Sequence, residues 1–131
     1  MIPRTELRKI AKARLRDAEA LFGTRRYDGA VYLCGYAVEI ALKARVCRTL
    51  KWTGFPSTRN EFQSFKSLQT HDLDVLLSFT GRDKFTKTHL MTEWSAVSQW
   101  NPAARYQLTG TVTKIDAREM VAAAKKLLRR L

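Results

Sequence analysis

Four polar side chains recur at helical spacing inside one long apolar segment, residues 27–50. They are Tyr32, Tyr36, Glu39 and Lys43, which are separated by four, three and four positions. At about 100° per residue, this spacing places all four on one narrow stripe of a helix. A charged pair on a mostly buried helix is unfavourable unless its members are paired or used. We therefore expect the stripe to line a cleft, an oligomer interface or the rim of the core.

Each part of this stripe has a structural and a functional interpretation. Glu39 and Lys43 form an i, i+4 pair, which stabilises a helix by only about 0.2–0.5 kcal/mol. The pair is either a structural or dimer-interface ion pair, or one wall of a ligand cleft. Tyr32 and Tyr36 are either core or interface aromatics, or platforms on which nucleic-acid bases stack.

The composition favours a single globular domain over residues 1–131. Hydrophobic residues make up 45% of the chain, which is enough for a core, and charges interrupt every apolar stretch before it reaches the ~18 residues of a membrane span. The basic N-terminus lacks the apolar core of a signal peptide, so we expect a cytoplasmic protein without membrane contact. Cys34 and Cys47 are thirteen positions apart on one predicted helix, roughly 20 Å, and cannot form a disulfide with each other. With two histidines and no CxxC motif, no metal site and no cofactor are expected.

The net charge of +12 is concentrated at the two ends of the chain. Such a charge favours partners that are themselves anionic: nucleic acid, an anionic membrane surface or an acidic protein. In the first predicted helix, Arg8, Lys12 and Arg16 lie opposite the apolar stripe. They form either a solvated face or a track for phosphates.

Hydrophobic periodicity and capping residues predict an all-α protein, an antiparallel up-down bundle. Glycine at position 35 suggests the close approach of another helix, and Phe55, Phe62 and Phe65 are expected to pack against the bundle. Residues 107–113 are predicted to be a small hairpin or a loop. The predicted helices are 5–22, 28–50, 71–79, 83–99 and 115–131, with Thr5, Thr70 and a Thr113–Asp116 capping box at three of their starts.

Several segments together resemble the HEPN family, the "higher eukaryotes and prokaryotes nucleotide-binding" domains. The resemblance rests on GYAVE at 35–39, LKA at 42–44, RYDGA at 26–30, THDL at 70–73, and the 100–106 segment. It implies an antiparallel four-helix bundle with an extra short helix, usually a homodimer. Members include metal-independent RNases, modules paired with a minimal nucleotidyltransferase in toxin–antitoxin systems, and non-catalytic interaction or nucleotide-binding domains.

The RNase motif of the resembled family is Arg, four to six residues, then His. Its histidine can exchange a proton with the ribose 2′-hydroxyl or the leaving oxygen, and its arginine stabilises charge on the phosphorus centre. Here the one match is Arg82 with His89. This match begins just before the fourth predicted helix, whereas a motif that opened the last helix would lie later in the chain. Where relatives carry the motif arginine, this chain has Arg105, and no histidine follows it. That departure argues against conventional HEPN RNase activity, and His71 is interpreted as a helix-start residue.

Three functional hypotheses follow. The first is a nucleic-acid- or nucleotide-binding module of a toxin–antitoxin or defence pair, with a groove lined by Tyr36, Glu39, Lys43, Arg105 and Tyr106. The second is a metal-independent endoribonuclease that uses Arg82 and His89 across a homodimer. The third is a structural partner of a minimal nucleotidyltransferase.

Overall fold

The computed structural model describes all residues, 1–131, and is mostly helical. The prediction of an all-α fold is confirmed. No helix is long and apolar enough to cross a membrane. The elements are β1 Ile2–Pro3, α1 Arg4–Gly23, α2 Tyr27–Leu50, β2 Gly54–Phe55, a 3-10 turn Lys66–Leu68, α3 Leu73–Phe79, α4 Asp83–His89, α5 Met91–Val97, a 3-10 turn Pro102–Tyr106 and α6 Lys114–Arg130.

Helix α2 is the centre of the molecule because it is apolar on almost every side. It packs against α1, α3 and α6, and ten of its residues are buried. The three-residue connection 24–26, with Arg25 at a positive φ of 63°, returns the chain so that α2 packs along α1. Cys34 and Cys47 are buried in this core as free thiols, and burial raises the pKa of both, that of Cys34 to about 12.

The predicted fourth helix, 83–99, is wrong as a single element. The chain leaves helical geometry at Leu90 (φ −129°, ψ 34°), which divides it into α4 and α5. Both halves still contact α3: Lys87 of α4 lies 3.5 Å from Asp74 Oδ1, and the Trp94 indole of α5 donates to the same oxygen at 2.9 Å.

Two of the three predicted helix starts are also wrong. Helix α3 begins after Asp72, whose carboxylate accepts from the Val75 amide at 3.1 Å, because the Thr70 hydroxyl is already engaged by the Asp72 amide. Helix α1 begins at Arg4 and not after Thr5, because β1 leads directly into it. The capping box of Thr113 with Asp116 is confirmed and opens α6.

Residues 107–113 form a loop, not a hairpin. Gly110 has a positive φ of 83°, and the carboxylate of Asp28 accepts hydrogen bonds from the amides of Gly110 (2.6 Å) and Val112 (3.1 Å). The start of α2 thus anchors the loop that leads into α6. The strand pairing that does occur is elsewhere, between β1 and β2, with Ile2 opposite Phe55.

The aromatic residues after α2 only partly follow the prediction. Phe55 and Phe62 are buried and contact each other, as expected. Phe65 is 42% exposed, but its ring packs on Trp52 at a centroid distance of 4.8 Å.

Candidate functional site

The predicted stripe of α2 carries a cluster of aromatic rings at its N-terminal half. Tyr32 and Tyr36 lie one helical turn apart and meet edge to face, with ring centroids 5.2 Å apart. Trp100 packs against both, at 4.9 Å from Tyr36 and 6.4 Å from Tyr32. Edge-to-face contacts at such distances stabilise aromatic clusters. We call Tyr32, Tyr36 and Trp100, together with Arg105 and Tyr106, the aromatic patch.

Gly35 is what allows Trp100 to reach α2. A Cβ added at Gly35 would overlap the Trp100 indole, so only glycine fits at this position. The prediction of a second helix close to Gly35 is therefore wrong. The neighbour of Gly35 is the side chain of Trp100, from the segment that follows α5. Trp100 is only 8% exposed, and its buried Nε1 has no hydrogen-bond partner.

The segment after Trp100 projects Arg105 and Tyr106 beside these rings. Asn101 caps the short 3-10 turn by accepting from the Ala103 amide at 2.8 Å, and Pro102 occupies its first position. Arg105 donates to the Pro102 carbonyl at 3.3 Å, and its guanidinium lies 4.7 Å over the ring of Tyr106. The Tyr106 side chain is 78% exposed, so one face of a cation–aromatic pair is open to solvent.

The charge states of the patch follow from these contacts. The neighbouring Tyr32 hydroxyl, partial burial and the Glu39 carboxylate raise the pKa of Tyr36 to about 12. Tyr106 and Tyr32 raise the pKa of Arg105 above its usual value. Near neutral pH the Tyr36 phenol therefore stays protonated, and Arg105 supplies a fixed cation.

Further along the stripe, Glu39 is a buried carboxylate with two partners. It is 3% exposed; its Oε2 lies 3.2 Å from Lys43 Nζ, and its Oε1 lies 2.7 Å from His71 Nδ1. The His71 side chain is 57% exposed, so this contact joins the buried carboxylate to a residue at the surface. Glu39 thus positions Lys43 and His71, and does not itself reach the surface.

Lys43 is held from a second side as well. Its Nζ lies 5.4 Å over the Phe55 ring, and its side chain is 19% exposed. The Lys43 side chain is thus largely buried, held between the Glu39 carboxylate and the Phe55 ring.

The candidate RNase residues both contact Phe85 of α4. The Arg82 guanidinium lies 4.0 Å from the centroid of the Phe85 ring, and the His89 ring lies 4.8 Å from the same centroid. Arg82 also donates to the Arg130 carbonyl at 3.2 Å, and the Arg130 guanidinium lies 5.2 Å from Phe85. We call Arg82, Phe85, His89 and Arg130 the α4 cluster.

Arg105 does not join them within the subunit. The Thr49 hydroxyl donates to the Thr80 carbonyl at 2.6 Å, which places the turn before Arg82 at the C-terminal end of α2. Trp100 lies on Gly35, fourteen residues earlier, or roughly 20 Å along the helix axis. The aromatic patch and the α4 cluster are thus separate regions of one protomer.

Sequence reasoning missed two participants. The first is Trp100, which belongs to the segment that carries the resemblance but not to the predicted groove. Its contact with Gly35 joins positions that are distant in the sequence, so no local pattern predicts it. His71 was interpreted as a helix-start residue, whereas it is the second partner of Glu39, thirty-two positions away. The THDL motif was the one signal that marked it.

The comparison with protein families gives the context for this geometry. The model of the HEPN domain matches residues 5–131. The chain belongs to the HEPN family. HEPN domains generally bind nucleotides or RNA or act as RNases, and they often form dimers. A search of curated proteins found no match to this HEPN domain, and neither did a search of solved structures. No group of three or more His, Cys, Asp or Glu side chains in it is arranged to hold a metal ion.

Proposed function

We propose that this HEPN domain binds single-stranded RNA, or a nucleotide from it, through the aromatic patch. The observation that carries the proposal is the open Arg105–Tyr106 pair beside the Tyr32–Tyr36–Trp100 cluster. Exposed aromatic rings and guanidinium planes are the surfaces on which unpaired bases stack.

Charge supports the same site. Arg105 is exposed, and Lys43, whose side chain is 19% exposed, lies on the same side of α2 as the rings. Phosphates of a bound strand would pair with these cations, while Glu39 holds Lys43 in place from below. Within the proposed groove, Tyr36, Arg105 and Tyr106 contact the ligand, and Glu39 is a positioning residue.

Fluorescence anisotropy with a short unstructured RNA tests this function. Affinity should fall as salt rises, because phosphate contacts release counterions. Tyr106→Ala should weaken binding about tenfold, since stacking of one base contributes about 1–3 kcal/mol. Arg105→Ala should weaken binding and lower the salt slope.

The matched control is Arg118→Ala. Arg118 is exposed on α6, and the variant removes the same charge without touching the patch. Equal losses in Arg105→Ala and Arg118→Ala would mean that RNA responds to net charge alone, and no binding at low salt would end the proposal.

A metal-independent endoribonuclease is the second candidate, because Arg82 and His89 both contact Phe85 of α4. His89 would act as the acid or base and Arg82 would stabilise the phosphorane. Incubation of RNA with the protein in EDTA decides between the candidates. Cleavage that disappears in His89→Ala supports the enzyme, and intact RNA supports the binding module.

The partners belong to the same proposal. We propose a homodimer in the cytoplasm that acts in a toxin–antitoxin or defence pair, with a minimal nucleotidyltransferase as an acidic partner for a chain of charge +12. Light scattering that shows a monomer would contradict the dimer. Co-expression with the neighbouring gene product, followed by co-purification, tests the partner.

A further inference from the structure

A second charged region lies between α1, α2 and α6, and nothing assigned above uses it. Arg4, Arg8 and Lys12, each one turn apart on α1, face Arg45 and Arg48 of α2 across a cleft. Alanines of α1 and α2 and leucines near the end of the chain form its apolar walls. We call this region the basic cleft.

The basic cleft is on the other side of α2 from the aromatic patch. Arg45 is nine positions after Tyr36, and at about 100° per residue the two side chains leave the helix about 180° apart. A ligand in the cleft therefore cannot be the base that stacks on Tyr106.

The cations of the basic cleft have no carboxylate within ion-pair distance. No carboxylate side chain lines the cleft, and none of the five cations takes part in any ion pair of the structure. Elsewhere on α1 acids are available: Glu6 pairs with Lys9, and Asp17 pairs with Arg14. The cleft thus concentrates positive charge in a place where neighbouring acids do not neutralise it.

Within the basic cleft, Arg45 has a buried donor that is not hydrogen-bonded. Its Nε atom is buried and has no hydrogen-bond partner. Burial, followed by the nearby charges of Arg48 and Arg82, lowers the pKa of Arg45. A buried donor without an acceptor is unfavourable, and an anion in the cleft would remove that cost.

We propose that the basic cleft binds a phosphate group, either free or as the terminal phosphate of a nucleotide. The free space is about 70 Å³, several times the ~10–15 Å³ that one water molecule needs, and accommodates a tetrahedral oxyanion. The planar forks of Arg45 and Arg48 suit paired hydrogen bonds to phosphate oxygens, and Lys12 adds a point charge. The apolar walls strengthen these contacts by limiting competing water.

Isothermal titration calorimetry with inorganic phosphate, at constant ionic strength set by chloride, tests the site. The intact protein should bind one phosphate per chain with saturation. Arg48→Gln and Arg45→Gln should each weaken binding about tenfold, because a hydrogen bond to a charged group contributes about 1.5–3 kcal/mol. Arg16→Gln is the matched control: it removes the same charge from an exposed position of α1 outside the cleft, and should bind within about twofold of the parent protein.

Two further titrations identify the source of the phosphate. Adenosine monophosphate that binds more tightly than inorganic phosphate indicates a nucleotide, and equal affinities indicate a free phosphate; either result supports the site. Adenosine, which lacks the phosphate, should not bind the cleft.

Three outcomes would overturn the proposal: phosphate heat no greater than that of chloride, equal losses in Arg16→Gln and Arg48→Gln, or cleft variants that bind as the parent does. The site is independent of the RNA proposal, because Tyr106→Ala should bind phosphate unchanged.

Discussion

The two sides of α2 treat charge in opposite ways. On the side of the aromatic patch, the buried carboxylate of Glu39 is matched by Lys43 and His71. On the opposite side, Arg45 and Arg48 face three more cations of α1 without an acid among them. Both sides are built on the same helix, so the difference comes from what the neighbouring segments bring to it.

The polar groups are therefore paired on one side of α2 and unpaired on the other. The groups around Glu39 stabilise each other, and the surface left open there is a ring with a guanidinium stacked on it. The basic cleft leaves a buried Arg45 donor unpaired, which is a cost that a ligand can remove. We therefore expect substitutions on the first side to destabilise the protein, and the removal of Arg45 to stabilise it.

The largest effect is expected at Gly35. Gly35→Ala should lower the free energy of unfolding by about 3 kcal/mol and abolish RNA binding, because the new methyl group displaces the Trp100 indole. Thermal unfolding measures the stability, and near-ultraviolet circular dichroism reports the displaced Trp100. The control is Gly23→Ala, where a Cβ meets no atom within 4 Å and stability should be equal or higher. Equal melting temperatures for the parent and Gly35→Ala would contradict the packing described.

The next effect concerns the carboxylate on which this side depends. Glu39→Gln should destabilise the protein by about 2 kcal/mol. This loss is smaller than that for breaking a fully buried ion pair, because the partly exposed Lys43 and His71 can be hydrated in the variant. Chemical denaturation of this variant is compared with Glu119→Gln, which changes an exposed carboxylate without an ion pair. If both variants unfold alike, the buried pair does not hold this side together.

Features made by residues close together in the sequence could be predicted, and contacts between distant segments could not. The stripe of Tyr32, Tyr36, Glu39 and Lys43 and the capping box at Thr113 are local patterns, and the spacing predicted both. The break at Leu90 was missed because residues 83–99 have continuous helical periodicity and no proline or glycine marks the site.

Contacts between distant segments were beyond prediction for another reason. Lys12 and Arg16 of α1 look equivalent in the sequence, and both are exposed, yet only Lys12 lines the cleft against α2. The same holds for Glu39 and His71, because a nineteen-residue loop, 51–69, can end in many places. Only the packing of α1 and α3 on α2 decides which polar groups meet.

A smaller effect of opposite sign is expected on the other side of α2. Arg45→Gln should raise the free energy of unfolding by about 1 kcal/mol in chloride buffer, because a poorly solvated charge beside Arg48 and Arg82 is removed. Saturating phosphate should erase this advantage, since the parent protein then gains a ligand. A melting temperature below that of the parent in chloride would contradict the claim that the unpaired Arg45 destabilises the protein. Arg118→Gln is the control for net charge.

The effect that is smallest near neutral pH is the titration of Tyr36, which changes stability only in alkali. Its pKa is raised to about 12 from 10, so the protonated phenol stabilises the fold. This contribution is fully present below pH 10 and is lost as the pH rises through about 12. The difference between the absorbance titrations of the parent and Tyr36→Phe isolates this group. A difference curve centred near pH 10 would mean that Tyr36 is not held by Tyr32 and Glu39.

Photo-cross-linking of a short RNA that carries 4-thiouridine, followed by mass spectrometry, tests the RNA-binding claim most directly because it reports where the bases lie. We predict cross-links at Tyr106 and at the neighbouring ring of Tyr36, with loss of the cross-links in Tyr106→Ala and retention in Arg118→Ala. Cross-links confined to the basic cleft or to the α4 cluster, with none on the aromatic patch, would contradict the account.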